Sequence, residues 1–484
     1  MGLWLLLSLH MSSNRPKNQS GLLAITWPLL ADLVLGTTVG LIGLWMAAQE
    51  SDSAAAAFTL ANHVQASFFL LFRIIGMGVS VVITQNLGAN HRDSADATAR
   101  AALGASTWLG LFSGVVVAAC SQNLLLALNA PPDVMPLAEP FLRLLSIALA
   151  LDALNATMGA VMRAHMHTRD TLLNMMLMHS VHLVICVMLM YGIGPLPPMG
   201  MLGFAVAAAL SRLFAVAFHG VLWRWRLNLA PHLHDWWKVN WKLMPPVLHI
   251  GLPGAAENIA YRLALLVTVA MVANMGTDAL AEHGYTMQIM FFILVFSLSV
   301  GFGSEILVGH LIGARNLHKA HHIVVKSVRL GIMVSLGMSL IAVFSAGWTL
   351  SFFTNDRKII EVCTHLLWIA VLLEPGRALN LIVINALRAT GDARFPVVAG
   401  IASMIFVMAG GAWLLGVHFG MGLIGVWIAY ALDEWTRGLI MCWRWWGRGW
   451  LPAARTTHRR LIVSDPLTTP LSERSEFSNA CVHL

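Results

Sequence analysis

Acids and arginines lie inside stretches that otherwise read as hydrocarbon: Asp32 in LLADLVLG, Glu257 and Arg262 in GAAENIAYRLALL, Glu374 and Arg377 in LLEPGRALN. A charge near a bilayer centre costs at least ~2.5 kcal/mol on insertion scales, so such residues are expected to face the protein interior, find partners and mark an ion or substrate path. Burial disfavours a carboxylate and an adjacent guanidinium favours it. An acid whose arginine partner moves can therefore take up a proton in one conformation and release it in another. Glu257 and Glu374 are the pair expected to share such a site, with Arg262 or Arg377 as the mobile partner. The alternative for each is a static salt bridge locking two helices. Asp32 is a further coupling or substrate-attracting candidate, with Arg73 as its expected partner in a structural reading. His182 titrates near neutrality when unperturbed. Asp152, Asn155, Arg212, Asp433, Glu434 and Arg437 add polar groups suited to bonds between helices.

The elements that position these groups are membrane helices. Of the 484 residues, 58% are hydrophobic and only 11% charged, and the mean hydropathy is +0.72, far from the values of soluble domains. A helix needs about 20 apolar residues to cross a bilayer core of roughly 30 Å. Spans are expected at 22–48, 57–87, 101–121, 136–161, 171–191, 201–223, 249–274, 281–311, 322–350, 359–386, 396–417 and 421–443. The missing apolar/polar alternation excludes a barrel. At 1.5 Å per residue, Asp32 lies about 15 Å into the first span, and Glu257 and Arg262 about 12 and 20 Å into the seventh. Glu374 and Arg377 lie about 21 and 16 Å from Arg388 and can pair one turn apart. Pro375 is expected to break its helix, freeing a carbonyl that a neighbour or cavity must satisfy.

Lysine and arginine collect on one side: Arg15, Lys17, Arg92, Arg100, Arg163, Arg169 and, later, Lys238, Lys242, Arg315, Lys319, Arg388 and Arg394. The other side keeps Arg143, Arg357 and Lys358. This asymmetry is expected to place both termini in the cytoplasm and makes the +7 formal charge a topology signal rather than a sign of nucleic acid; a plasma membrane, as the inner membrane of a bacterium, is the expected location.

Sliding the chain by 225 residues lays GMGVSVVITQNLGANHRDSA (76–95) over GFGSEILVGHLIGARNLHKA (301–320). The same register pairs Pro28 with Pro253, Asp32 with Glu257, Asn155 with Asn380, and Arg163 with Arg388. Two six-helix repeats of one orientation follow, which suits a transporter with a path between two bundles. The expected organisation is a cytoplasmic segment 1–20, a lobe 21–223, an interfacial linker 224–248 rich in Trp and cations, a lobe 249–446, and a polar, disordered tail 447–484. The opening MGLWLLLSLH lacks a basic leader and a small-residue cleavage site, so translation is expected to start at Met11 as readily as at Met1.

The Gly-rich ends with GAN and GAR, the openings TWPLLAD and GLPGAAEN, and above all ALRATGDARFP (386–396) resemble the multidrug and toxic compound extrusion (MATE) family over about residues 20–450. The resemblance implies an all-α, twelve-helix, V-shaped pair of lobes. It also implies export of amphipathic, often cationic organic compounds against protons or sodium ions, with no organic cofactor and no ATP. The positions where family members carry coupling acids or amides hold Gly43, His182, Cys186, Tyr261 and Arg377 here, so no familiar ion site carries over and the proton is expected ahead of sodium. Small organic substrates, protons and lipids are the expected partners of a monomer. A flippase for lipid-linked or saccharide substrates, or a dedicated metabolite exporter, is the alternative; Arg73, Arg262 and Arg377 would serve its anionic group. An enzyme is disfavoured because no HExxH or GxSxG occurs in any span. The five cysteines form no CxxC pair, and HKAHH (318–322) is read as a helix entrance rather than a metal site.

Overall fold

In hydrocarbon the backbone has no water to bond to, so each apolar run closes its hydrogen bonds as a helix. A computed structural model describes residues 21–192 and 197–464, without the side chains of 462–464. The questions of the true start and of the tail beyond 464 lie outside the described residues. Twelve long helices follow one another: α1 Leu22–Glu50, α2 Asp52–Gly88, α3 Arg92–Ala119, α4 Met135–Ala164, α5 Thr168–Tyr191, α6 Gly200–Arg226, α7 Met244–Ala273, α8 Thr277–Gly313, α9 Leu317–Phe344, α10 Arg357–Thr390, α11 Arg394–His418 and α12 Gly422–Trp446. The first eleven are each long and apolar enough to cross a membrane. At 25 residues α12 is long enough too, but it carries Asp433, Glu434, Arg437 and Arg444. No strand occurs among the described residues.

Most helices run a turn or so beyond the expected spans. The largest difference is α3, which begins at Arg92 because RDSADATAR continues the same helix and buries Ala95, Thr98 and Ala99. Pro28, Pro140, Pro253 and Pro375 all sit within unbroken helices.

Helices α1–α6 pack mainly among themselves, as do α7–α12. Phe58, Phe141 and Phe204 centre one core, with Phe58 edge-on to Phe204 at 5.3 Å. Trp427, Tyr430 and Met290 occupy another in the second lobe. The lobes meet through α2 against α7 and α8, and through α1 against α8. A side chain at Gly88 would strike the His310 carbonyl, and one at Gly313 the Gln85 carbonyl. Gln85 and His310 are themselves repeat equivalents, so the crossing of α2 and α8 is two-fold. Beside it, Gly251 lies against the Ile74 carbonyl and Gly78 against that of Val247. Glycine is needed at these points because backbone meets backbone. These close approaches fall toward the end of the molecule where the arginines and lysines collect, called here the basic end.

The expected disorder from 447 onward is corrected for its first part: α13, Leu451–Ser464, is helical. Leu451, Ala454 and Leu461 are buried. The Thr457 hydroxyl donates to the Thr390 carbonyl at 3.2 Å, and Arg460 Nη2 donates to Gln85 Oε1 at 2.5 Å. Gln85 in turn donates Nε2 to the Ala389 carbonyl at 2.8 Å. One helix thus touches α2 of the first lobe and the end of α10 in the second. Burial, reinforced by the Arg315 charge, pushes His458 of α13 down to about 4, so it stays neutral at physiological pH.

Candidate functional site

Glu374, Arg377 and Asn380 recur at the three-residue spacing that stacks side chains on one face of α10, and Asp433, Glu434 and Arg437 present a matching set on α12. All six are buried. Arg377 Nη1 donates to Glu374 Oε1 at 2.6 Å and its Nε to Glu434 Oε1 at 3.2 Å. Asn380 Nδ2 donates to Glu434 Oε2 at 2.9 Å. Arg437 holds Asp433 Oδ2 at 2.6 Å and Glu434 Oε1 at 3.1 Å, and Ser403 Oγ donates to Asp433 Oδ1 at 2.6 Å. Two buried acceptors, Glu374 Oε2 and Asn380 Oδ1, have no hydrogen-bond partner. A cavity of about 10 Å³, lined among others by Tyr261, Met408, Tyr430, Arg377 and Glu434, adjoins this network; such a space admits about one water molecule. Three carboxyls face two guanidiniums here, so the set is electrically balanced when it holds one proton.

Pro375 corrects a second expectation. The α10 helix continues through it, although proline removes a backbone donor and crowds the carbonyl four residues back. That carbonyl belongs to Val371; on the next residue, Trp435 Nε1 of α12 donates to the Leu372 carbonyl at 2.8 Å. Gly376 makes room for the indole, since a Cβ there would lie 2.8 Å from Trp435 Cδ1. Trp435→Phe keeps the ring and removes this bond, and is expected to destabilise the protein by about 1 kcal/mol, the scale of interhelical bonds in membranes. A thermal unfolding curve in detergent checks this; an unchanged midpoint would discard the bond as a stabilising element. Facing this region, α11 widens into π-type turns over Met404–Ala409 and Ala412–His418, a distortion often found beside functional sites.

The structure separates Glu257 from Glu374. Glu257 Oε2 accepts from Arg388 Nη2 at 2.5 Å, both side chains being buried, so its partner is neither Arg262 nor any member of the α10–α12 network. Arg388, read from sequence as a helix-end cation, instead reaches inward from the end of α10. Asp32 also departs from expectation: the cation whose charge acts on it is Arg163 rather than Arg73, without an ion pair within 4 Å, and its buried Oδ1 has no hydrogen-bond partner. Arg73 shares a field with Arg388, Glu305, Arg262 and Glu257. Glu305 was missed in the sequence. It is 4% exposed, bonds Ser80 and lies among Arg388, Arg73 and Arg163; an acid in the apolar run GSEILVG was the available signal.

In the first lobe, Asp152 pairs with Arg212 at 3.4 Å. Asn155 Nδ2 donates to the Arg212 carbonyl at 3.1 Å, and Asn155 Oδ1 lies 3.3 Å from His219 Nδ1, which also contacts Asn174. His182 is buried edge-on against Phe204 at 4.8 Å, with Nδ1 unpartnered. His321 of the HKAHH run accepts from Trp445 Nε1 at 3.1 Å. Among the described residues no group of three or more His, Cys, Asp or Glu could hold a metal ion.

Comparison with known proteins accords with this architecture. The family model described as MatE matches residues 28–188 and 253–413; 253 minus 28 and 413 minus 188 both give 225, the offset of the internal repeat. The chain is 30% identical over 430 residues to "Uncharacterized transporter YisQ" of Bacillus subtilis, covering 89% of this chain and 94% of that protein. It is 23% identical over 430 residues to "Probable multidrug resistance protein NorM" of Thermotoga maritima, covering 86% and 90%. A crystal structure of a MATE protein in a bent conformation superposes with a TM-score of 0.81 at 19% identity, covering 90% of this chain and 96% of that one.

Proposed function

Because this chain belongs to the MatE family of membrane transporters, we propose that it is a secondary exporter, moving amphipathic and mainly cationic organic compounds outward in exchange for protons. The observation that carries the reading is the buried α10–α12 network, in which three carboxyls face two guanidiniums beside a water-sized cavity. In a low-dielectric site an uncompensated charge is costly, so one proton shared among the acids is the balanced state. The acids titrate as a set rather than singly. Glu374 has the free oxygen on which that proton would sit. When it is protonated, its hold on Arg377 weakens, while Glu434 keeps the arginine from leaving. A change of proton occupancy thereby becomes a change in how α10 and α12 are held together.

Proton arrival and substrate departure are linked if this repacking biases the two lobes toward one side or the other, which is the differential interaction that any population shift requires. The glycine crossings keep the basic end shut in the state described here. With that end facing the cytoplasm, as the distribution of cations favours, the lobes are held together on the cytoplasmic side. Sodium is the second candidate ion, but the arginines beside every acid of the network disfavour a bare cation there.

The test is ethidium movement in proteoliposomes under an imposed pH gradient, with a sodium gradient as the parallel arm. Export driven by pH alone supports the proposal. Export driven only by sodium would reassign the ion, and none under either gradient with folded protein would set aside a general cation exporter.

A further inference from the structure

Two side-chain bonds cross between the lobes at the basic end, and they are repeat equivalents. Gln85 Nε2 of α2 donates to the Ala389 carbonyl at the end of α10 at 2.8 Å. His310 Nε2 of α8 donates to the Ala164 carbonyl at the end of α4, also at 2.8 Å. The offset is 225 for both, 310 minus 85 and 389 minus 164. Each helix of the glycine crossing thus bolts itself to the opposite lobe, and the internal repeat alone accounts for the pair.

The symmetry is broken by α13. Its approach and first half belong to the second lobe: Trp450 stacks on Trp445 at 4.7 Å and donates Nε1 to the Trp445 carbonyl at 2.9 Å, and Leu451 and Ala454 join the core that holds Val308 of α8 and Leu387 of α10. The helix then passes so close over the end of α10 that a Cβ on Gly391 would lie 2.6 Å from Thr457 Oγ1. Three residues on, Arg460 Nη2 reaches across to Gln85 Oε1 at 2.5 Å. Gln85 has no exposed surface, and both polar atoms of its amide are held by the second lobe. The residue one repeat before Arg460 is Asp235, in the short turn Leu233–Trp236. It lies instead against α3 of its own lobe, its carbonyl 2.9 Å from where a Cβ on Gly104 would stand. Of the two bonds to the Gln85 amide, the one from Arg460 is charge-assisted and the stronger. Parting α2 from α10 at the basic end breaks both.

We propose that α13 is a strap built into the second lobe, that it latches the basic end shut by gripping Gln85 of the first lobe through Arg460, and that its release is a step in opening that end. The strap shifts the equilibrium between closed and open because it bonds one state and not the other. It rests on the transporter reading only for the requirement that the basic end opens during the cycle. Its chemistry is independent of the α10–α12 network and of the ion that drives transport.

The test places a cysteine in the seam. Thr84 precedes Gln85, is fully buried, and lies where a Cβ on Gly309 of α8 would come within 2.1 Å of its Oγ1. A Thr84→Cys thiol therefore meets a membrane-impermeant maleimide when the basic end opens. Labelling is timed on the full-length protein in lipid nanodiscs, with the chain lacking the added cysteine as the blank. Arg460→Met keeps much of the side-chain bulk and removes the donors. It is expected to raise the labelling rate roughly tenfold, the change in open population that follows loss of one charge-assisted bond. Gln85→Met strikes the same contact from α2 with α13 unaltered, and should raise the rate at least as much. The double variant should exceed the faster single variant by less than twofold, because the two residues share one bond. Arg459→Met, on an exposed neighbour in the same turn, should match the parent. An Arg460→Met rate within twofold of the parent, an equal rise in Arg459→Met, or single effects that multiply in the double variant overturns the proposal. Ethidium movement keeps the two readings apart. Unchanged labelling beside gradient-driven export would remove the strap and leave the exporter, whereas faster labelling of the variants beside no export by the parent under either gradient would do the reverse.

Discussion

Glu374→Gln is expected to cut pH-driven export by at least tenfold while leaving the protein folded. The glutamine keeps the size of the side chain and can still bond Arg377 through its amide oxygen, in place of the 2.6 Å contact made by Glu374 Oε1. It cannot take up or release a proton. It also leaves Asp433 and Glu434 facing Arg377 and Arg437, two acids against two bases, so the network is neutral without a proton. Dye binding in the absence of a gradient should stay within a few-fold of wild type. Glu434→Gln provides the contrast. Glu434 bonds Arg377, Asn380 and Arg437 at once, and removing it strips a shared anion from two buried guanidiniums, a change that costs about 3–5 kcal/mol when a buried pair is broken. Glu374→Gln should therefore remove coupling with little loss of unfolding midpoint, and Glu434→Gln should lower the midpoint by many degrees. A Glu374→Gln protein that exports under a pH gradient within twofold of wild type would remove this acid from the mechanism.

The second large effect is steric. Gly251 of α7 sits so close to the Ile74 carbonyl of α2 that any Cβ would strike backbone, which has no side-chain freedom with which to yield. Gly251→Val should force the lobes apart at the basic end. Overpacking typically costs 1–3 kcal/mol, and here it falls on a contact that defines one conformational state. Export should drop about tenfold or more. A cysteine placed at Ile74 should become readily labelled by a membrane-impermeant maleimide from the basic side. Gly76→Ala is the matched control: it lies in the same Gly-rich stretch, yet nothing comes within 4 Å of its added Cβ, so it should behave as wild type. Equal labelling in the Val and Ala proteins would show that the close approach does not gate access.

Length and hydropathy were enough to read the helices from the sequence, because membrane insertion constrains each run separately, and residues matched at one offset were enough to read the repeat. Partner choice was not legible. Depth along a helix says nothing of its rotation or of which helix stands beside it, so Glu257 was set against Arg262 five residues away on its own helix when the true partner is Arg388, 131 residues on. Arg388 was assigned to the helix end by the position of its Cα, whereas its long side chain runs inward along the bundle. Asp32 was given the wrong arginine for the same reason. Glu434 was recognised only as one of several polar groups, since nothing in DEWTR reveals that it faces EPGRALN. Glu305 escaped notice because the glycines around it carried the repeat. Pro375 was expected to break α10, and only the structure reveals the indole of Trp435 beside the strained turn. The tail helix was hidden by its polar composition, because its apolar positions, Leu451, Ala454 and Leu461, become meaningful only once there is a surface to cover.

That helix has a consequence for how the molecule is made. Chains fold progressively from the N-terminal side as they leave the ribosome, and α13 emerges after all twelve helices preceding it. Its anchors, Gln85 and Thr390, belong to segments inserted long before. While synthesis is in progress the two lobes can already meet at their glycine crossings, but the bond from Arg460 to Gln85 must wait for the last turns of α13. Completion of the basic end thus follows insertion of the twelve long helices, and a chain interrupted after Trp446 would carry each of them yet lack the bonds that α13 makes to Gln85 and Thr390.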